Sequence, residues 1–488
     1  MKNSLCTSAA TCLRCVASTI TRRSDLMNLT NHKFVSYLAA VLVMIGLAGC
    51  SGSGDNGGTT GGTTGGSTST GVFTLQDVSP LNLEEGNPAG ANIPIVLNRL
   101  DGHNKPITIS LSGANDVDNR LITVGLFPEQ LASGENYASI NVRLAIDDLP
   151  IMPQQRTFHI DASDGTDSAR TSVLINVQPV NAPDVYLLAG QSNMVGFSGD
   201  GTKLANAGGP DEPHPRIYQL NVTKNDQQTV FTKQADFVSE ENNAITAARI
   251  VQAQDPLHVS LDPSNSSNKN FSYIGMGISF AKAAIENTTQ NIILVPAAWS
   301  GSAFCTNDQG PIGQWNAQSS PDANLGNTWL FDRAVTRTNL ALAETGGILR
   351  GILWHQGESD SNNRCAGAYE ANLERLAQQL RLQIDVDRRG GDLRRPDANI
   401  PFIVGTMSKG IDERGDLSDF WFDKQLVDNA HRNLPNKVRH AATSTHDDLI
   451  PSNGYPCGNT TCIHYGAAAL REMGRRYYDG LQRAVANP

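Results

Sequence analysis

The hydrophobic pattern of this chain changes its period near Pro183, and this change constrains the fold more than any other feature. After Pro183, apolar runs of the buried-strand type alternate with helical stretches. These runs are Val185–Ala189, Ile292–Ala298, Ile348–Trp354, Pro401–Gly405 and Val438–Ala442. Such alternation is typical of a parallel sheet that helices cover on both faces. Two of the helical stretches carry apolar stripes, formed by Tyr369, Leu373, Leu376, Leu380 and Ile384 and by Leu470, Met473, Tyr477 and Leu481. We therefore expect an α/β domain over residues 184–488.

Before Pro183 apolar residues alternate with polar ones instead. Between residues 72 and 180 this alternation involves Ile93/Ile95/Leu97, Ile107/Ile109/Leu111, Ile140/Val142/Leu144, Phe158/Ile160 and Val173/Ile175/Val177. Period-two runs separated by Gly, Asn, Asp and Pro predict an antiparallel β-sandwich of the immunoglobulin-like type. No aromatic platform for a sugar stands out in this segment, so we expect it to act as a spacer.

Size and charge exclude some classes of protein. A chain of 488 residues exceeds one ordinary core, so more than one domain is expected. The formal charge of −10, with 38 Lys plus Arg and no basic stripe, argues against nucleic-acid binding. Residues 51–71 are almost entirely Gly, Thr and Ser, which is typical of a flexible linker. Residues 199–270 are polar and Asn-rich, and we interpret them as a long excursion beside the first strand, a candidate substrate-facing lobe.

The N-terminal region, residues 1–50, contains an export signal. Lys33–Cys50 has a basic start, an apolar stretch and small residues, and it is shorter than the roughly 18–20 apolar residues of a membrane span. Its Leu47-Ala-Gly-Cys50 ending resembles the lipobox of bacterial lipoproteins, which implies that Cys50 is lipidated and becomes the mature N-terminus. Ser51 then implies sorting to the outer membrane. Secretion after cleavage at a small residue is the alternative, and Met27 is the expected start because residues 1–26 fit no signal pattern.

Four cysteines remain after Cys50: Cys305, Cys365, Cys457 and Cys462. An even number in an exported chain favours disulfides, and four cysteines allow three connectivities. We expect Cys457 to pair with Cys462, closing a small loop, and Cys305 to pair with Cys365, because each follows a presumed active-site loop. Free thiols are the alternative. A zinc site is disfavoured because no histidine lies at ligand spacing around these cysteines.

Three short motifs carry the residue types of acyl-transfer chemistry. They are Gly190-Gln-Ser192-Asn-Met after the first buried run, Trp354-His-Gln-Gly-Glu358 after the third, and Ile463-His464-Tyr-Gly before a helical run. Open α/β sheets carry their chemistry where strands end and helices begin. A serine hydroxyl becomes a nucleophile when an imidazole takes its proton, and an acid stabilises that imidazole. Taken alone, Ser192 could be a helix cap and His464 a surface residue.

Together the three motifs resemble the SGNH hydrolase superfamily, and more narrowly the sialate O-acetylesterase and carbohydrate esterase family 6 group. The resemblance extends from about Pro183 to the C-terminus. It implies a three-layer α/β/α, flavodoxin-like domain that removes acetyl esters from sugars. No metal and no organic cofactor is expected.

The resemblance also implies roles for individual residues. Ser192 is the expected nucleophile and His464 the general base. The backbone N–H groups of Ser192 and Gly301 and the side-chain amide of Gln356 are the expected oxyanion donors. Many relatives have Asp three residues before the histidine, whereas this chain has Thr461.

The missing Asp leaves the catalytic acid open. Glu358 is the best candidate, because the family's Gln-Gly-Glu loop reaches the histidine; the alternative is that Glu358 only braces its loop. Asp360, Asp447 and Asp448 are the other candidates.

Two functions compete at this point. The first is a membrane-anchored serine esterase that hydrolyses acetyl esters on a carbohydrate, of the acetylxylan or sialic acid type, through an acetyl-enzyme. The second is a non-catalytic glycan-binding or adhesin lipoprotein with a degenerate hydrolase domain. Thr461 favours the second, and the presence of both Ser192 and His464 favours the first.

Overall fold

A seven-stranded sheet lies at the centre of the C-terminal part of the chain in the computed structural model. The structure describes residues 71–113, 121–146, 149–196, 209–222, 248–258, 274–299, 301–305, 330–384, 400–407, 423–449 and 463–487, with short pieces at 68–69, 315, 317, 410–411 and 417–418. The predicted export signal, the linker up to residue 67, Thr461, Cys457 and Cys462 lie outside these residues.

The strands of this part are β11 Asp184–Gly190, β12 Ile217–Val222, β13 Ala248–Gln252, β14 Ile292–Ala298, β15 Ile348–His355, β16 Phe402–Gly405, β17 Gly410–Ile411, β18 Leu417–Ser418 and β19 Ala441–Ser444. The helices are α1 Ser192–Val195, α2 Gly277–Ile285, α3 Leu330–Thr345, α4 Ala366–Gln383, α5 Lys424–Lys437 and α6 Ala467–Val485, and a 3₁₀ turn spans Glu358–Asp360. The sheet order is β13-β12-β14-β11-β15-β16-β19, and all neighbours are parallel except β12 and β13. β17 and β18 form a separate antiparallel pair.

Helices cover both faces of the sheet, which explains why its central strands read as continuous apolar runs. On β11, Val185, Leu187 and Ala189 pack into one core with α3, α4 and α5. Tyr186 and Leu188 point to the other face and pack with α2 and α6. The structure thus has mixed α/β architecture, and its parallel central sheet agrees with the prediction from the sequence.

Two charged residues within these buried strands, Asp184 and Arg350, form an ion pair with each other. Arg350 on β15 donates from Nε to Asp184 Oδ1 on β11 at 2.8 Å, and the Thr288 hydroxyl donates to Asp184 Oδ2 at 2.7 Å. Both charged side chains are almost completely buried. Burial of a charge is tolerated only with such partners, because an unpaired ion in the core is costly.

Two strand predictions in this part need correction. The predicted strand Val438–Ala442 begins later, at Ala441, because Val438 N–H still donates to Leu434 O at the end of α5. The excursion at residues 199–270 contributes β12 and β13 to the sheet. β12 was not predicted because it contains Gln219, a polar residue at a buried position. The Gln219 side chain donates to Leu257 O and accepts from Gln254 N–H.

The N-terminal part consists of two sheets around one apolar core. Its strands are β1 Thr68–Ser69, β2 Phe73–Leu75, β3 Leu81–Glu84, β4 Ala91–Arg99, β5 Ile107–Ser112, β6 Leu121–Phe127, β7 Gln130–Leu131, β8 Tyr137–Leu144, β9 Gln154–Ser163 and β10 Ser168–Gln178. One sheet has the order β1-β10-β9-β5-β7 with β3 also on β10, and the other has the order β2-β4-β8-β6. The expectation of purely antiparallel pairing is wrong for β3, which runs parallel to β10. The immunoglobulin-like type stays a prediction.

The two parts of the chain share a small apolar contact. Ile146, Val180 and Ala182 pack with Ile348, the first residue of β15. The backbone continues this contact, because Ile348 N–H donates to Pro183 O at 2.8 Å. The boundary proposed between residues 180 and 184 stays a prediction, since residues 63–488 form one unit. Among the helices that the structure describes, none has the length and apolarity to cross a membrane.

Candidate active site

The three central strands end at one level of the sheet. Gly190 of β11 is in register with Ala298 of β14 on one side and with His355 of β15 on the other. The loops that follow these strands carry the predicted site residues, and the chain order reverses here from one side of β11 to the other. Such a switch point is where open α/β sheets leave a crevice for a ligand.

Ser192 begins α1 two residues after β11 ends, and the turn between them depends on Gly190. Gly190 has φ of +139°, and a Cβ there would lie 2.0 Å from His355 O. The absence of this atom lets the turn approach β15 closely enough for Gln191 N–H to donate to His355 O at 2.9 Å. Gln191 Oε1 also accepts from Gly357 N–H and Ser359 N–H. The backbone around Ser192 is therefore fixed to the loop that contains Glu358.

Asn193 connects the serine to the other two motifs. Its Nδ2 donates to Glu358 Oε1 at 2.7 Å and to Ile463 O at 3.1 Å, and its Oδ1 accepts from Tyr465 N–H at 3.1 Å. Ile463 and Tyr465 flank His464. The structure thus brings the serine, glutamate and histidine motifs together, although they lie far apart in the sequence.

Burial shifts the pKa values of His464 and Glu358 in opposite directions. Desolvation lowers the pKa of the partly buried His464 to about 4, so its imidazole is neutral at ordinary pH and able to accept a proton. Burial raises the pKa of Glu358, and the hydrogen bond from Asn193 opposes this effect. Glu358 Oε2 is buried without a hydrogen-bond partner among the described residues.

A second histidine faces the Glu358 carboxylate. His355 Nε2 lies 4.0 Å from Glu358 Oε1. Tyr477 Oη donates to Trp354 O and accepts from His355 Nδ1, which leaves His355 Nε2 as an acceptor. Burial holds the pKa of His355 well below its usual value, so this ring is neutral and does not neutralise Glu358.

The predicted oxyanion donors lie on the loops after β14 and β15. Gly301 has φ of +71°, and the start of its loop is held to β11 because Trp299 N–H donates to Gly190 O at 3.0 Å. Gln356 is fully buried, and its Nε2 donates to Ser302 O at 3.0 Å and to Asp360 Oδ2 at 2.7 Å. Both amide hydrogens of Gln356 are used in this arrangement. Gln356 therefore holds the loop of Gly301 in place, and its role as an oxyanion donor stays a prediction.

Asp360, an alternative acid in the sequence analysis, also holds that loop. Its Oδ2 accepts from Phe304 N–H at 2.9 Å, and its Oδ1 accepts from Cys305 N–H at 3.3 Å. Burial raises the pKa of Asp360 to about 6. The structure also joins Cys305 to Cys365 in a disulfide, the pairing expected from the sequence. A carboxylate and a covalent bond thus connect the loop after β14 to the segment after β15.

The two remaining candidate acids make ion pairs with arginines. Asp447 pairs with Arg432 at 2.7 Å, and Asp448 pairs with Arg476 through both carboxylate oxygens, at 2.5 and 2.7 Å. These pairs fix Asp447 and Asp448 to α5 and α6. Among the described residues, Glu358 is the candidate carboxylate that hydrogen-bonds to the residue after Ser192.

One cluster of metal-ligand residue types occurs among the described residues, formed by Cys305, Asp360 and Cys365. The two sulfur atoms are bonded to each other, so neither is a thiolate that could bind a metal. The Asp360 oxygens accept hydrogen bonds from backbone and amide donors. This cluster therefore has a structural role in the oxidised protein.

The connecting role of Asn193 and the bracing role of Asp360 could not be predicted from the sequence. Both residues belong to the quoted motifs, so their positions beside Ser192 and Glu358 were visible. Their partners were not, because Asn193 bonds to residues 270 and 272 positions away and Asp360 to residues 56 and 55 positions away.

Motifs with a serine, a histidine and a carboxylate that converge at the carboxyl edge of a parallel sheet are typical of serine hydrolases. Residues 182–483 match the sequence model of the family described as carbohydrate esterase, sialic acid-specific acetylesterase. This match covers well over half of the sequence, and the chain belongs to that family. The resemblance to the sialate O-acetylesterase group is confirmed, and with it the prediction of a carbohydrate esterase at the level of the family.

The chain is also similar to individual proteins. A probable carbohydrate esterase of Arabidopsis thaliana is 27% identical over 216 residues, which is 43% of this chain and 66% of that protein. The chain thus spans just under two thirds of that relative. Among solved structures, NanS aligns with 16% identity over 62% of this chain and 98% of its own, with a TM-score of 0.40. A carbohydrate acetylesterase from Xanthomonas citri aligns with 16% identity over 86% of this chain and 76% of its own, with a TM-score of 0.38.

Proposed function

We propose that this protein is a serine esterase that removes O-acetyl groups from a carbohydrate through an acetyl-enzyme on Ser192. One observation carries the proposal: Asn193, the neighbour of Ser192, hydrogen-bonds to Glu358 and to both neighbours of His464. The motifs of the proposed nucleophile, base and acid are therefore tied together at one edge of the sheet. Membership of a carbohydrate esterase family supports the ester and sugar parts of the proposal.

In the first half of the reaction, His464 takes the hydroxyl proton of Ser192 as Oγ attacks the acetyl carbonyl carbon. The backbone N–H groups of Ser192 and Gly301 stabilise the negative charge on the carbonyl oxygen. The intermediate collapses, the bond to the sugar oxygen breaks, and His464 returns the proton to that oxygen. The deacetylated sugar leaves, and the acetyl group stays on Ser192.

In the second half, His464 takes a proton from water, which attacks the acetyl carbonyl carbon. Collapse of this intermediate releases acetate and returns the proton to Ser192 Oγ. Glu358 stabilises the imidazolium that forms in each half. Its Oε1 is held by Asn193, and its Oε2, which has no partner among the described residues, remains for the His464 ring.

Hydrolysis of an aryl acetate tests this proposal. Ser192→Ala and His464→Ala are expected to abolish turnover, and Glu358→Gln to reduce it strongly while the protein stays folded. Ser361→Ala is the matched control, because it removes another buried hydroxyl, one that donates to Gly357 O at 2.8 Å near the same edge. Full activity in Ser192→Ala, or no activity in the folded wild type, would contradict the proposal. The second result would favour the glycan-binding alternative.

We further propose that the substrate is an acetylated sugar of the xylan or sialic acid type. Acetate release from acetylated xylan oligosaccharides and from O-acetylated sialic acid distinguishes the two. The aryl acetate serves as the reference substrate, so that failure on one sugar is not mistaken for loss of the catalytic site. Release from neither sugar, with activity on the aryl ester, would contradict this choice of substrates.

We also propose that the protein is exported and anchored by a lipid on Cys50, with residues 72–180 as a spacer between membrane and esterase. The support is the signal-like segment that ends in Leu47-Ala-Gly-Cys50. Labelling of the expressed protein with a fatty acid, compared with Cys50→Ala, tests the anchor. Equal labelling of both proteins, or of neither, would contradict it.

A further inference from the structure

Asn193 uses all its ordinary hydrogen-bonding groups inside the protein. The two Nδ2 hydrogens go to Glu358 Oε1 and Ile463 O, and Oδ1 accepts from Tyr465 N–H. The side chain is 1% exposed, so these bonds are shielded from water. Only one orientation of the amide fits, because two of the partners are acceptors and the third is a donor.

The two backbone contacts of Asn193 lie on either side of His464. The carbonyl of Ile463 belongs to the peptide group before His464, and the N–H of Tyr465 belongs to the peptide group after it. Fixing both peptide groups restricts the backbone of His464 and thus the origin of its side chain. Because Asn193 follows Ser192 in α1, its hydrogen bonds fix the position of the His464 backbone relative to the nucleophile.

The third contact of Asn193 extends this restraint to the acid. Asn193 donates to a Glu358 oxygen without adding a charge, and this bond opposes the rise that burial causes in the pKa of Glu358. A carboxylate at position 193 could still accept from Tyr465 N–H. It could donate to neither Ile463 O nor Glu358, and it would repel the Glu358 carboxylate.

We propose that Asn193 is a positioning residue that holds the backbone of His464 and the carboxylate of Glu358 in register with Ser192. The inference rests on the proposed function for its effect on rate, but the restraint itself can be measured without catalysis. Misplacement of catalytic groups by about 1 Å can cost about 100-fold in rate, even when substrate binding is preserved.

The test compares Asn193→Ala and Asn193→Asp with the wild-type protein. Both variants are expected to lose about 100-fold in kcat for aryl acetate hydrolysis with little change in KM, because the groups that bind the substrate are intact. The matched control is Thr288→Val, which removes a buried hydrogen bond to Asp184 at the opposite end of β11. This control is expected to lower thermal stability and leave kcat unchanged.

Amide hydrogen exchange supplies the readout that is independent of activity. Tyr465 N–H, buried and bonded to Asn193, is expected to exchange slowly in the wild type and much faster in Asn193→Ala. The amides in the middle of α6 should be unaffected, which separates a local effect from unfolding. If wild-type hydrolysis is absent, the proposed function fails. The exchange rate of Tyr465 N–H then shows by itself whether Asn193 restrains the backbone around His464. Unchanged exchange at Tyr465, or a kcat loss no larger than in Thr288→Val, would overturn the inference.

Discussion

The acid limb of the pH profile is a direct consequence of the burial of His464. Desolvation lowers the pKa of His464 from 6.5 to about 4. A general base works in its neutral form, so activity is lost as the pH falls through this pKa. At about pH 5.5 a histidine of ordinary pKa is roughly one-tenth neutral, whereas His464 is more than nine-tenths neutral. His464 is therefore expected to stay available as a base at a pH where an exposed histidine would be protonated.

The measurement is kcat/KM for an aryl acetate between about pH 3.5 and pH 8, because this ratio reports the ionisations of the free enzyme. Glu358→Gln is measured beside the wild type, because burial raises the pKa of Glu358 and protonation of this carboxylate also lowers wild-type activity as the pH falls. In Glu358→Gln, half of the plateau value is expected near pH 4, and nearly the full value near pH 5.5. Circular dichroism over the same range excludes unfolding as the cause of the decline. A limb centred near pH 6.5 in folded Glu358→Gln would refute the reasoning, since it would show that burial does not control the pKa of His464.

Three further changes test the structure around the site. Replacing both Cys305 and Cys365 by serine opens a loop of 60 residues and is expected to cost about 4 kcal/mol of unfolding free energy in urea; an unchanged urea midpoint would contradict this. Asp360→Asn replaces an acceptor by a donor against N–H groups and is expected to cost about 1–3 kcal/mol and to lower kcat; wild-type stability would show that these bonds are dispensable. Gly190→Ala brings a Cβ against His355 O and is expected to remove activity and lower the melting temperature. Wild-type activity and melting temperature in Gly190→Ala would refute the close approach of the two backbones.

The sequence was informative about the fold wherever local pattern and tertiary environment agree. β14 spans the residues of its apolar run, and β11 extends its run by one residue at each end, because strands buried on both faces need apolar residues throughout. β12 was missed for the opposite reason. Gln219 is fully buried there, but its amide is satisfied by Leu257 O and Gln254 N–H, which no local pattern reveals.

The same distinction applies to the site. The motif residues could be identified individually, because each follows a strand or precedes a helix in the chain. Which hydrogen bonds they make depended on loops that meet only after folding. Gln356 was expected to present its amide to the substrate, yet both of its hydrogens go to Ser302 O and Asp360. Asn193 stood out in the sequence only as a neighbour of Ser192, although it hydrogen-bonds to residues of both other motifs.

Covalent labelling with a fluorophosphonate tests the central claim most directly, because the reagent forms a stable bond only with an activated serine hydroxyl. The account predicts labelling at Ser192 in the wild type, loss of labelling in Ser192→Ala, and strongly slowed labelling in His464→Ala. Peptide mapping by mass spectrometry identifies the labelled residue. Hydrolysis of the aryl acetate without labelling of Ser192, or labelling at a different serine, would contradict the assignment of the nucleophile.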